Sequence, residues 1–201
     1  MSSPTSGRQY KNNPYERVSF SSVTGNNIGI IRVLNSTLFP IQYSQRFYKQ
    51  IVQPELEKYC KLIYLNDVPV GTVCCRLEEI DNETKLYVMT MGVLAPYRNR
   101  KIGSQALQHI LDAARESKKP KITSVYLHVW VESGDAKRFY ERHGFKEVGL
   151  VVDYYKKMEV RDAWILEYRL HPSAAEGEDE SVELQAMSPS PAAQDHATTV
   201  T

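Results

Sequence analysis

The chain has 201 residues, a formal net charge of +1 and 42% hydrophobic side chains, enough for one substantial core and unlike a low-complexity or fibrous composition. No apolar run reaches the roughly 18 residues of a membrane-spanning helix, and the first residues lack the apolar stretch of a signal peptide, so a soluble, intracellular protein is expected. The three cysteines, Cys60, Cys74 and Cys75, form neither a disulfide framework nor a metal-ligand spacing, and read as core residues.

Residues 1 to 16, rich in Ser, Gly, Asn and Pro, read as a disordered extension, and one domain is expected over 17–170. Val18 to Ser21 reads as a short strand. Ile28, Ile31, Leu34 and Leu38 then mark a helix entered through Thr24-Gly25-Asn26-Asn27 and stopped by Phe39-Pro40, because proline disfavours a helical residue before it. Ser44 can cap a second helix to about Val52. Cys60 to Leu65, Val70 to Leu77 and Thr84 to Val93 read as a meander, with turns at Asn66-Asp67 and Asp81-Asn82. Within the third of these, Leu86 to Val93 is apolar on both faces, the pattern of a central strand.

A helix from Ile102 to about Glu116 follows, with Ile102, Ala106, Leu107, Ile110, Leu111 and Ala114 on one stripe. Ser124 to Val129 is the next strand, Asp135 to Arg142 a fourth helix stopped by Gly144, and Lys146 to Val152 and Asp162 to Leu170 complete the sheet. The order predicts an α+β fold: a mixed, mostly antiparallel sheet flanked by about four helices. Residues 171–201 read as a disordered acidic Ser/Pro/Ala-rich tail. The tail holds Glu176, Glu178, Asp179, Glu180, Glu183 and Asp195 with no Lys or Arg, which leaves +7 on the rest of the chain. That imbalance suits an anionic ligand or a ribonucleoprotein surface.

Arg98-Asn99-Arg100-Lys101-Ile102-Gly103-Ser104 joins the central strand to its crossover helix. The free N–H groups and positive dipole end of that helix point away from the sheet there, where a phosphate gains charge-assisted hydrogen bonds. The segment resembles the RxxGxG/A loop of the GNAT acetyltransferase superfamily, with Arg98 and Gly103 in register. Further matches are Phe39-Pro40-Ile41-Gln42-Tyr43, Gly71 to Arg76, Leu86 to Thr90 running into Ala95-Pro96-Tyr97-Arg98, and Tyr126-Leu127-His128-Val129. Phe139-Tyr140 with Gly144-Phe145, and Tyr154-Tyr155-Lys156, complete the resemblance, which covers about Val18 to Leu170 and points to the branch that acetylates protein N-termini.

The resemblance implies acetyl-CoA as co-substrate, with no metal. It assigns the cofactor to Met91, Val93, Arg98, Asn99, Arg100, Lys101, Ile102, Gly103, Ser104, Ser133 and Tyr140. It places catalysis on Tyr87 and His128. A free α-amine titrates near 7.7 to 8.0 and needs a base before it can attack a thioester; a histidine near 6.5 suits that task, and a tyrosine near 10 acts best through water or once its own pKa is lowered. A bulge amide near Met91 is expected to face the developing oxyanion. Phe39, Pro40, Ile41 and Tyr43, with Met89, Tyr154, Tyr155 and Met158 opposite, form an aromatic slot for an N-terminal methionine, whose burial contributes roughly 1.5 to 3 kcal/mol.

Two residues depart from the pattern. Lys101 replaces the first glycine of RxxGxG/A, adding a Cβ where unusual backbone angles are needed but also an ammonium beside the phosphates. Ser133 replaces a common asparagine, and its hydroxyl can cap the next helix or reach the cofactor. The leading reading is an N-terminal acetyltransferase for nascent chains that start with Met; the alternative is a catalytically weak or silent docking subunit. In either case the resemblance implies association with the NatA catalytic and auxiliary subunits, and the clusters Lys118-Lys119-Lys121 and Lys137-Arg138 extend the expectation to the ribosome. A cytoplasmic, and also nuclear, location is expected, with no membrane or DNA partner.

Overall fold

The computed structural model describes residues 16–155 and 159–170. Met158 and, apart from Glu16, the two expected extensions lie outside the described residues. One seven-stranded sheet organises the rest: β1 (Val18–Ser22), β2 (Lys61–Leu65), β3 (Val68–Ile80), β4 (Glu83–Val93), β5 (Ile122–Trp130), β6 (Lys146–Val151) and β7 (Ala163–Arg169). Their spatial order is β1-β2-β3-β4-β5-β7-β6, and only the β4–β5 pair is parallel. The expected class and element order are those observed.

Each helix has a local cause. In α1 (Ile28–Leu38), Ile31, Leu34, Asn35 and Leu38 form the buried stripe, and the chain turns extended at Phe39, ahead of Pro40. The Ser44 hydroxyl accepts from the Phe47 amide and starts α2 (Gln45–Gln50). The crossover helix α3 (Ile102–Arg115) buries the six expected apolar positions. Its Arg115 donates to the Tyr168 hydroxyl at 2.7 Å, and Tyr168 stands opposite Val125, so α3 covers the Val125 face of the sheet. In α4 (Gly134–Arg142) only Ala136 and Tyr140 are buried.

The strands place chemistry by alternation. Arg76 on β3 pairs with Tyr87 on β4, and Tyr87 with Tyr126 on β5; Glu78 and His128 lie two residues along from Arg76 and Tyr126, hence on the same face. The β4–β5 ladder ends at the Tyr87–Tyr126 pair. Beyond it β4 continues against β3 to Val93 and β5 against β7 to Trp130, so the two central strands part above Tyr87. A bulge lies in β4, where Cys74 stands opposite Thr90 and Cys75 opposite Val88, making Met89 the extra residue. That corrects the expected position near Met91 by two residues. The three cysteine thiols are free and fully buried, as core residues.

Candidate active site

Tyr87, His128 and Tyr154 meet where β4 and β5 part. The Tyr87 and Tyr154 hydroxyls lie 2.7 Å apart, and His128 Nδ1 lies 3.2 Å from Tyr87 Oη. The imidazole stacks on Tyr154, with ring centres 4.3 Å apart and planes 12° from parallel. Burial, helped by the positive charge of Arg76, lowers the His128 pKa to about 4, so the ring is neutral at physiological pH. Burial raises the Tyr154 and Tyr155 hydroxyls well above their usual range.

The segment after β6 brings the tyrosine pair in. Tyr155 donates its amide to the Arg161 carbonyl at 2.8 Å, and Trp130 Nε1 donates to the Val160 carbonyl at 2.7 Å, which ties that connection to the end of β5. The α1–α2 loop reaches the same place: Ile41 packs against Tyr154, Tyr155, Val151 and Ala163. Tyr43 is buried, stacks on Phe47 at 4.6 Å and lies edge-on to Phe39 at 6.0 Å. Pro40 is exposed and Met89 fully buried. Two distant aromatic segments thus flank one reactive pair.

A separate cleft of about 610 Å³ opens at the start of α3. Met91, Val93, Arg98, Asn99, Lys101, Ile102, Gly103 and Ser104, all from the expected cofactor set, line it. The first helical turn contains no acid, and Gln105 N–H donates to the Lys101 carbonyl at 3.0 Å, so the amides of Ile102, Gly103 and Ser104 precede the first intrahelical bond. Lys101 takes the left-handed conformation with φ 59° and ψ 11°, and Asn99 has φ 63°. The lysine has therefore kept a backbone posture for which glycine is the natural residue. A Cβ at Gly103 meets Phe139 at 3.6 Å, ordinary contact, so α3 and α4 abut without strain.

Three expected cofactor residues do not line this cleft. Arg100 donates to Glu16 at 2.6 Å, the Ser133 side chain makes no helix cap, and Tyr140 is fully buried. The Tyr140 hydroxyl has no hydrogen-bond partner among the described residues. Sequence reasoning missed the α4 wall, where Asp135, Arg138, Phe139 and Arg142 enter the lining. The i, i+4 spacing of Arg138 and Arg142 was the available signal. Lys137 and Arg138 do not act as one cluster: Lys137 pairs with Glu147 and lies over Trp164, while Arg138 pairs with Asp135 at the cleft.

Four cations (Arg98, Lys101, Arg138 and Arg142) and a helix N-terminus against one acid, Asp135, fit a ligand with several phosphates. Among the described residues no group of three His, Cys, Asp or Glu side chains stands close enough to hold a metal ion.

A sheet that parts at its centre, a helix N-terminus facing a cationic cleft and a buried Tyr–His pair define an acyltransferase architecture. The profile of the acetyltransferase (GNAT) family matches residues 29–145, and the chain belongs to that family. It is 38% identical over 159 residues to N-alpha-acetyltransferase 50 of Danio rerio, covering 79% of this chain and 92% of that protein. Against the probable N-acetyltransferase san of Drosophila melanogaster it is 37% identical over 157 residues, covering 78% and 83%. The structure of Arabidopsis thaliana Naa50 in complex with the bisubstrate analogue CoA-Ac-MVNAL superposes with a TM-score of 0.69 at 36% identity, covering 75% of this chain and 97% of that one.

Proposed function

We propose that this protein transfers the acetyl group of acetyl-CoA to the α-amine of polypeptides that begin with methionine, with residues 17–170 as the catalytic domain and the segments 1–16 and 171–201 as extensions. The observation that carries the proposal is the 3.2 Å contact between His128 Nδ1 and Tyr87 Oη at the parting of β4 and β5. The likeness to proteins named N-alpha-acetyltransferase 50 supports it.

The thioester supplies an activated carbonyl and a thiolate leaving group, so the protein has to bind, orient and manage protons. Cations and helix amides at the start of α3 hold the phosphates. The neutral His128, in contact with Tyr87, takes the proton that the substrate ammonium must lose before it attacks. Moving that proton from an amine titrating near 7.7 to 8.0 onto an imidazole near 4 climbs about 5 kcal/mol, so His128 is a transient acceptor. The free amine then attacks the thioester carbonyl; as the N–C bond forms and the C–S bond breaks, the nitrogen's second proton neutralises the departing thiolate, and His128 returns the first to solvent.

The aromatic slot supports selection of methionine, and a lysine ammonium entering it loses its hydration without gaining a partner. We extend the proposal to association with the NatA catalytic and auxiliary subunits at the ribosome, in the cytoplasm with a nuclear fraction. Exposed Lys118, Lys119 and Lys121 support such a contact. The rival reading, a silent docking subunit, is favoured by one observation, Lys101 in the left-handed region at the cofactor loop. Calorimetric titration with acetyl-CoA, paired with acetylation of a Met-Leu peptide, separates the two: binding with turnover is expected, and binding without turnover rejects the enzyme. Recovery of NatA subunits with a tagged chain from cell extract tests the assembly.

A further inference from the structure

Beneath the reactive pair lies a buried charge that the reaction as described does not use. Arg76 is 3% exposed, sits directly across from Tyr87 in the β3–β4 ladder, and carries its guanidinium carbon 4.8 Å from the centre of the Tyr87 ring. Its Nε donates to Glu78 Oε1 at 2.5 Å, and a second guanidinium nitrogen forms an ion pair with the same oxygen. Glu78 in turn accepts from the Tyr126 hydroxyl, and Tyr126 stands opposite Tyr87 on the other side. Two residues on from Tyr126 is His128.

A buried ion pair is weak evidence for stability, because desolvating two charges offsets most of their attraction. An apolar pair at these positions is an equally good way to fill a core, so a function for the charge is the better account. The planar fork is also specific: it meets a carboxylate at its edge while its face covers an aromatic ring, which an ammonium cannot do.

Resting on the reaction proposed above, we infer that Arg76 is the positioning residue of the reaction centre: braced by Glu78 and Tyr126, it clamps the Tyr87 ring within reach of His128 and sets a fixed positive charge near the imidazole that accepts the proton of the substrate ammonium.

The groups facing the imidazole support this. On β4 there is Tyr87, on β5 Tyr126, and after β6 Tyr154; Tyr155 packs edge-on against Tyr154. Arg76 and Glu78 come from β3, and Glu78 is turned to the Arg76 and Tyr126 side. Lys85 and Glu167, farther along the same face, pair with one another at 3.1 Å. Burial is the main reason the imidazole resists protonation, and the Arg76 charge adds to it.

The test is NMR titration of histidine-labelled full-length protein together with the kinetics of Met-Leu peptide acetylation. In Arg76→Gln, the His128 midpoint is expected to rise by about one pH unit and kcat to fall at least tenfold, with acetyl-CoA affinity unchanged. Arg76→Lys, which keeps the charge and loses the fork, is expected to leave the midpoint in place while kcat still falls. Should Arg76→Gln not fold, the double variant Arg76→Met/Glu78→Gln puts neutral groups of similar size in the pair's place, and the same rise is expected. An unmoved midpoint, or a kcat within twofold of the parent in a folded variant, overturns the inference. If the unaltered protein acetylates no N-terminal peptide, the reaction itself is wrong; the His128 titration still decides whether Arg76 governs the imidazole.

Discussion

The reaction centre and the cofactor cleft are built in opposite ways. Tyr87, His128 and Tyr154 come from three distant segments and are buried together, so each contact is strong and each loss leaves a polar group without water. The cleft is made mostly from one continuous loop and the helix it opens, with Lys101 exposed and the Arg138–Asp135 pair in solvent. Its charges are screened, and each is worth little alone. Substitutions at the centre therefore act on turnover and on the fold, and substitutions at the cleft on affinity in small, salt-dependent steps.

The sharpest way to break this contrast is to remove the base. His128→Ala is expected to lower kcat by 10² to 10⁴, the usual range for one acid–base group, and to leave acetyl-CoA affinity within about twofold. Stopped-flow or endpoint acetylation of a Met-Leu peptide, beside calorimetry with the cofactor, reads both. An equal loss in both would show that centre and cleft are not separable.

The buried imidazole also links pH to the fold. Its folded pKa, about 4, lies below the unfolded value of about 6.5, so the folded state resists protonation. Stability is therefore full above about pH 6.5 and is lost progressively as pH falls toward 4, by about 3 kcal/mol for this group. Urea unfolding from pH 7 to 4 is expected to show a loss that His128→Gln flattens. Glu167, whose carboxyl burial alone would raise but which Ser124 and Lys85 hold below its usual range, adds its loss at still lower pH, so the His128→Gln difference isolates the imidazole.

Much of this contrast was legible in the sequence. The loop and its helix were local, and the apolar spacing of α3 gave its length to within a residue. Tyr87 and His128 carried no local signal strong enough to stand alone; the resemblance placed them, and the parallel register that joins their strands is a tertiary fact. The β3 strand runs from Val68 to Ile80, longer at both ends than its apolar run, because backbone pairing with β2 and β4 continues where side chains are exposed. By sequence Arg138 groups with Lys137 as a basic cluster, and Asp135 and Arg142 carry no signal of their own; the packing of Phe139 beside Gly103 turns these side chains to the cleft. The Met89 bulge left no mark in residue type.

Peptide choice probes the centre from the substrate side. Burying a methionine side chain between the α1–α2 loop and Tyr154 contributes roughly 1.5 to 3 kcal/mol, so Met-Leu peptides are expected to exceed Ser- or Ala-starting ones by about 10- to 100-fold in kcat/KM. Tyr154→Ala is expected to narrow that ratio as well as lower the rate, because Tyr154 also stacks on His128. A peptide panel with the preference reversed rejects the slot.

The smallest expected effect belongs to Lys101, where strain and charge pull apart. A non-glycine residue in the left-handed region costs about 1 to 2 kcal/mol, and glycine costs about 0.5 to 1 kcal/mol of chain entropy instead. Lys101 already holds φ 59° without a ligand, so relieving that strain changes folding stability and leaves binding untouched. The charge works the other way, because an exposed ammonium beside a phosphate contributes about 0.3 to 1 kcal/mol, and only when the ligand is there. Lys101→Gly is therefore expected to unfold at a slightly higher temperature and to bind acetyl-CoA about two- to fivefold more weakly at low salt, with the difference shrinking as salt is added. Tighter binding in the glycine variant would show instead that the lysine side chain obstructs the phosphates, and the cleft would then be poorly matched to its ligand, as the docking-subunit reading requires.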